Sequence, residues 1–199
     1  PQAWEKGAIA QEDNPMTFKI VAISGSLRKA SFNTAALRAA QELAPAGVSI
    51  EIADISDIPL YDEDLRHEGS FPDTVMRLRN QIAAADAVLF ACPEYNYSVS
   101  GVLKNAIDWA SRAPSQPFDG KAYAILGAAG GLLGTSRGQW HLRQIMVGCN
   151  AYGVNNPQVY IGGAAQKFDA SGRFTDEAGR ALIVQLIEAL VKLGTKLKG

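Results

Sequence analysis

The sequence predicts a three-layer α/β fold, a parallel sheet with helices on both faces. Three observations carry this. Five runs with strand character alternate with segments of helical periodicity. One of them, Asp86 to Ala91, is a continuous apolar stretch, the mark of a central strand buried on both faces. Three loops that follow strand ends, 24–34, 92–101 and 127–138, are rich in glycine or small polar residues. They fall at the carboxyl edge, where sheets of this kind bind ligands.

Each element follows from its residues. Phe18-Lys19-Ile20-Val21-Ala22-Ile23 is an apolar run that reads as the first strand, and Thr34 to Leu43 is a good helix-forming stretch. Pro45-Ala46-Gly47 turns the chain into Val48 to Ala53, whose period-two alternation marks a strand. Asp57 to Ser70 reads as loop. Asp73 to Ala85 places Val75, Leu78 and Ile82 at helical spacing, ahead of the central apolar run. A loop from Pro93 to Gly101 precedes a helix, Val102 to Arg112, with Leu103, Ala106, Ile107 and Ala110 on one face; Pro114 and Pro117 end it. Lys121 to Leu126 is the fourth strand. A glycine-rich loop, Gly127 to Gly138, leads into a helix through about Cys149. Gln158-Val159-Tyr160-Ile161 is the fifth strand and Asp176 to Lys196 the last helix. In that helix Leu182, Leu186, Ala189 and Leu193 are expected on the sheet, leaving Ile183, Ile187 and Val191 over.

Composition narrows the function classes. The chain has 199 residues and a formal net charge of -1, enough for one domain with a sizeable core and without the basic excess of a nucleic-acid binder. Cys92 and Cys149 are far apart and sit in or beside apolar stretches, which suggests buried thiols in a cytoplasmic protein and not a disulfide framework or zinc site. His67 and His141 are isolated, so no metal site is expected, and no apolar run reaches membrane-spanning length. Residues 1–15 are polar and aperiodic, without the apolar core of a signal peptide. They read as an N-terminal tail, either a remnant ahead of a native start at Met16 or a short arm. Residues 16–199 are expected to form a single domain.

The first loop, Gly25 to Thr34, holds one glycine, the hydroxyls of Ser26, Ser31 and Thr34, the amide of Asn33, and two cations, Arg28 and Lys29. At a helix N-terminus the unpaired amides and the helix dipole favour an anion, and hydroxyls and arginine add hydrogen bonds. The loop reads as a phosphate cradle; the alternative is a polar loop whose Ser or Asn caps the helix. The Walker spacing and the G-x-G-x-x-G fingerprint are both absent, so a monophosphate fits better than a nucleotide pyrophosphate. The second loop offers Tyr95, Tyr97, Asn96 and a proline-fixed backbone to a flat heteroaromatic ligand. The third, Gly127-Ala128-Ala129-Gly130-Gly131, lets a ligand approach the backbone closely.

These loops resemble those of the NAD(P)H-dependent FMN reductase family, which has a flavodoxin-like fold, and most of all its bacterial quinone and chromate reductases. The matching stretches are G-S-L-R-K-A-S-F-N, P-E-Y-N-Y-S-V-S-G-V-L-K-N-A-I-D-W and G-A-A-G-G-L-L-G-T-S-R. The resemblance implies five parallel strands in the order 2-1-3-4-5. It implies that Ser26, Arg28, Ser31 and Asn33 hold the FMN phosphate, with backbone help from Phe32 and Thr34. Pro93, Glu94, Tyr95 and Asn96 would border the isoalloxazine and ribityl chain, and the Gly130-Gly131 backbone would edge the ring. Family members commonly have proline where this chain has Ser100, so the start of the following helix is expected to shift slightly.

The activity implied is ping-pong: NADPH or NADH reduces the flavin and leaves, and a quinone, chromate or another oxidised metal ion then enters the same space. Arg28 and Arg137 are candidate attractors for an anionic acceptor. The competing readings are an azo-dye or free-FMN reductase, a non-enzymatic flavodoxin-like electron carrier, and a scaffold without flavin. A homodimer or homotetramer is also implied. Apolar groups outside the expected core faces, among them Val102, Trp109, Trp140, Ile145 and Met146, point the same way.

Overall fold

The structure, a computed structural model, describes residues 17–66 and 69–199. The expected tail, Met16 and His67 lie outside the described residues. The chain runs β1 (Phe18–Ser24), α1 (Phe32–Glu42), β2 (Val48–Ala53), α2 (Asp73–Ala84) and β3 (Ala87–Ala91). A hairpin follows, β4 (Glu94–Tyr95) and β5 (Ser98–Val99), then α3 (Gly101–Ala110), β6 (Ala122–Ala128) and α4 (Ser136–Gly148). The last elements are β7 (Tyr152–Gly153), β8 (Val159–Ile161) and α5 (Glu177–Lys198).

The main sheet is parallel in the order β2-β1-β3-β6-β7, with β8 also paired to β6. This is the expected flavodoxin-like order, with one correction: the fifth position is shared by two short strands. β7 pairs with Ala122 and Tyr123, at the start of β6, and β8 pairs with Leu126 to Ala128, at its end. Between them lies Asn155-Asn156-Pro157, whose proline has no N–H for the ladder.

Alternation along the strands builds two cores. Ile20 and Ala22 of β1, Leu89 of β3 and Ala124 of β6 face α1 and α5, while Val21, Ile23, Val88, Phe90 and Ile125 face α2, α3 and α4. Helix α5 enters the first core through Ile183, Leu186, Ile187 and Leu190, all fully buried. Leu182, expected on the sheet, is 38% exposed, and Ile183 and Ile187, expected to be left over, are core. Two stripes offset by one residue satisfy the same 3.6-residue period, and only the position of the sheet selects between them.

Trp109 is a second correction. It is fully buried within the chain, its ring meets Tyr61 with centroids 4.7 Å apart, and its Nε1–H donates to the Pro59 carbonyl at 2.9 Å. Pro59, Tyr61 and Phe71 cover it, so it is not an interface residue. Met146 is likewise core, while Trp140 stays exposed.

Candidate functional site

All three glycine-rich or polar loops meet at the carboxyl edge of the sheet. They enclose a cleft of about 360 Å3 lined by Ser26, Arg28, Ser31, Phe32, Asn33, Pro93, Glu94, Tyr95, Ala128, Ala129 and Gly130. Nine of the twelve residues expected at the site are in this lining.

The first loop gives one end of the cleft a set of hydrogen-bond donors. Ser31 is the N-cap of α1, and its Oγ accepts from the Thr34 amide at 3.2 Å. The Phe32 and Asn33 amides, first in the helix, find no acceptor among the described residues. Those two donors and the helix dipole face the cleft with Arg28, which has no carboxylate partner among the described residues.

Two expected residues hold structure here and do not offer side chains to a ligand. Asn33 Nδ2 donates to the Ala128 carbonyl at 2.9 Å, and its Oδ1 accepts from the Ala128 amide at 3.0 Å. This two-bond clasp ties the first loop to the third, so what Asn33 can give an anion is its backbone amide. Thr34 lies outside the lining. Its amide is taken by Ser31, and its hydroxyl pairs with Ser24 Oγ at 2.8 Å.

The second loop folds into the β4–β5 hairpin. Asn96 and Tyr97 both have positive φ, 50° and 69°, the conformation of a two-residue type I′ turn. Asn tolerates this; a bulky Tyr at the second position is unusual. Arg137 of α4 stacks on that ring, 3.7 Å from its centroid, and pairs with Glu94. Asn96 therefore turns the hairpin beyond the cleft, and Tyr95 and the Pro93 backbone form the wall.

Glu94 touches the cleft, but its carboxylate is engaged elsewhere. It accepts from the Arg137 amide at 3.0 Å, the Gly138 amide at 3.1 Å and Arg137 Nε at 2.6 Å. It thus caps α4, whose own N-cap residue, Thr135, makes no side-chain cap bond. Burial pushes the Glu94 carboxyl up, but the Gly138 amide and the Arg137 guanidinium outweigh it, and the net shift is downward. Arg137 is correspondingly occupied, which weakens it as an attractor of anionic substrates.

Ser100 takes over the place of the usual proline. Its Oγ accepts from the Leu103 amide at 3.4 Å, which makes it the N-cap of α3, and donates to the Gly25 carbonyl at 2.7 Å. The helix begins at Gly101, one residue ahead of expectation. A Cβ on Gly25 would lie 2.7 Å from Pro93 Cδ and 2.9 Å from Ser100 Oγ, so only glycine lets these two loops touch.

The third loop is open where a ring would need it. A Cβ on Gly130 or Gly131 would meet nothing within 4 Å. Gly130 edges the cleft, and Gly131 lines an adjoining cavity of about 320 Å3 with Leu132, Leu133 and Arg137. Ala128 and Ala129, expected only as part of the run a ligand approaches and not as individual site residues, also line the cleft. Their only signal is membership of the run of small residues between Gly127 and Gly131.

A parallel 2-1-3-4-5 sheet with an anion end at the β1–α1 loop and a flat, glycine-edged wall beyond it defines a flavodoxin-like mononucleotide-binding protein. The model of the NADPH-dependent FMN reductase family matches residues 18–166, and the chain belongs to that family. It is an enzyme with FMN as cofactor and NAD(P)H as electron donor. An NAD(P)H-dependent FMN reductase of Pseudomonas aeruginosa is 56% identical over 181 residues, 91% of this chain and 97% of that protein. A quinone reductase of Escherichia coli is 48% identical over 149 residues, 74% of this chain and 79% of its own. FerB of Paracoccus denitrificans, a flavoenzyme NAD(P)H:(acceptor) oxidoreductase, superposes with a TM-score of 0.82 at 33% identity, covering 90% of this chain and 98% of that one.

The residues present fit FMN. Two unpartnered amides, Arg28 and the Ser26 and Ser31 hydroxyls suit a phosphate, and the side-chain-free space at Gly130 and Gly131 suits a flat ring.

Proposed function

We propose that this enzyme reduces quinones with electrons from NAD(P)H, and that chromate is a second acceptor. The observation that carries the reading is the 48% identity to a quinone reductase, together with a cleft that leads into an apolar trough. FMN, when bound, supplies the hydride chemistry. The protein's part is placement. The α1 amides, Ser26, Ser31 and Arg28 hold the phosphate end; Pro93 and Tyr95 wall one side; the Gly130 backbone leaves the ring edge free. Tyr95, half exposed, and Leu132, 93% exposed, give donor and acceptor one shared apolar approach. No side chain is assigned as a general base.

Within this reading the enzyme is cytoplasmic, in keeping with two buried free thiols, and works as a homodimer or homotetramer. Exposed Tyr97, Leu132, Leu133 and Trp140 on the site's side of the molecule support the assembly.

Initial rates with NADPH and a benzoquinone test the shared approach. Parallel double-reciprocal lines are expected, and intersecting lines would mean that both substrates bind together. Quinone turnover no faster than free-FMN reduction would move the assignment to a free-flavin reductase.

A further inference from the structure

A second cavity, of about 280 Å3, lies on the other side of the first loop, between it and the end of β2. Ser26 and Arg28 line both cavities, whereas Lys29 and Arg38 line this one and not the cleft. Among the described residues none of these three cations pairs with a carboxylate. The acids nearby are engaged elsewhere. Glu42, one turn beyond Arg38, binds Arg173 and Arg180, each at 3.0 Å, and Asp57 binds Arg77 at 2.6 Å. Among the described residues Asp54 is the one carboxylate on the cavity wall, and it accepts from the Ser56 amide at 2.8 Å. Three positive groups against one negative leave the cavity cationic. The Ser24 and Thr34 hydroxyls on its wall are engaged with each other at 2.8 Å, so the positive charge comes from the three cations alone.

We propose that this cavity takes the 2′-phosphate of NADPH, and that Lys29 and Arg38 make the enzyme prefer NADPH to NADH. A donor whose redox end enters the cleft must set its other end down on the surrounding surface. Because the two cavities share Ser26 and Arg28, a ligand lying over the loop reaches both. The end of a second strand holds the adenosine ribose in dinucleotide-binding α/β folds; there an acid serves the free 2′-hydroxyl and a cation the 2′-phosphate. Here the cations outnumber the acid, and a phosphomonoester carries close to two negative charges at pH 7. The inference rests on the family's pyridine-nucleotide donor and is independent of the acceptor.

Calorimetric titration of the FMN-loaded protein with 2′,5′-ADP and with 5′-ADP tests it. The 2′-phosphorylated probe is expected to bind at least about tenfold more tightly. Lys29→Gln and Arg38→Gln should each reduce that advantage, and the double variant should abolish it while retaining FMN. The kcat/KM for NADPH should fall by a similar factor, with that for NADH unchanged. Equal binding of the two probes to the unmodified enzyme overturns the proposal, as does an advantage that survives in the double variant. Inorganic phosphate supplies the remaining arm. If it competes with NADPH through Lys29 and Arg38 while 2′,5′-ADP shows no advantage, the cavity is a site for free oxyanions and the proposal fails. If the nucleotide preference appears but quinones are not reduced, the acceptor reading fails and this one stands.

Discussion

Asn33 shows how one side chain serves the site without touching the ligand. Its clasp on Ala128 satisfies a buried amide and a buried carbonyl at the end of β6. Asn33→Ala should therefore destabilise the fold by about 1–3 kcal/mol, because both backbone groups lose their partner, and a lowered thermal midpoint would record it. Arg28→Ala is the contrasting case. The side chain is exposed and has no carboxylate partner among the described residues, so the thermal midpoint of the apoprotein should hold. FMN affinity, read by flavin fluorescence titration, should fall by about tenfold or more. Unchanged affinity would remove Arg28 from the phosphate end. The two thiols give a third prediction. Burial pushes Cys92 up to about 12 and raises Cys149 as well, so neither ionises at neutral pH. A disulfide reagent should find no fast-reacting thiol in the native protein and both after unfolding.

Among elements, α4 is unusual in taking its cap from another segment. Glu94 spans 43 residues of sequence to bond the amides of Arg137 and Gly138, and in doing so fixes the hairpin that bears Tyr95. The Glu94 carboxyl is held below its ordinary value of 4.5 in the folded state. A depressed pKa adds stability that is complete above the unfolded value and is lost as pH falls through the folded one. Thermal midpoints should accordingly drop below about pH 4.5, and Glu94→Gln, already uncharged, should flatten that limb. A variant with the same acid limb as the unmodified protein would contradict this. The third loop offers a paired test. A Cβ on Gly127 would come within 1.8 Å of Thr135 Oγ1 and 2.6 Å of the Cys92 carbonyl, whereas one on Gly130 meets nothing. Gly127→Ala should fold poorly. Gly130→Ala should keep its thermal midpoint and bind FMN more weakly; equal stability losses at the two positions would refute the contrast.

Across the whole molecule, large apolar residues are exposed in several places, Leu60 and Val147 among them. Leu132, Leu133, Tyr97 and Trp140 stand on or beside the third loop, the hairpin and α4, which contact one another. With Trp109, Met146, Ile183 and Ile187 accounted for inside the chain, these four carry the case for assembly. Light scattering at micromolar concentration should give a dimer or tetramer mass, and Trp140→Glu should lower it. A fully active monomer would end the assembly reading and leave the apolar trough as a substrate surface alone.

The sequence by itself determined the alternation of strands and helices, the central place of Asp86 to Ala91, and the three loops that meet at the cleft. Each is written in local signals: continuous apolar runs, periodicity and glycine placement. Residue by residue, it also found most of the cleft lining. Four things needed the tertiary structure. The buried stripe of α5 depends on where the sheet lies, since neighbouring stripes share one period. The burial of Trp109 depends on a loop some 50 residues away in sequence folding over it. The roles of Asn33 and Glu94 depend on partners 95 and 43 residues distant, which no local pattern encodes. The second cationic cavity depends on arginines from other segments, Arg77, Arg173 and Arg180, drawing the nearby carboxylates into pairs. In each case the deciding energy is a contact between segments far apart in the chain, and such contacts exist only once the fold has formed.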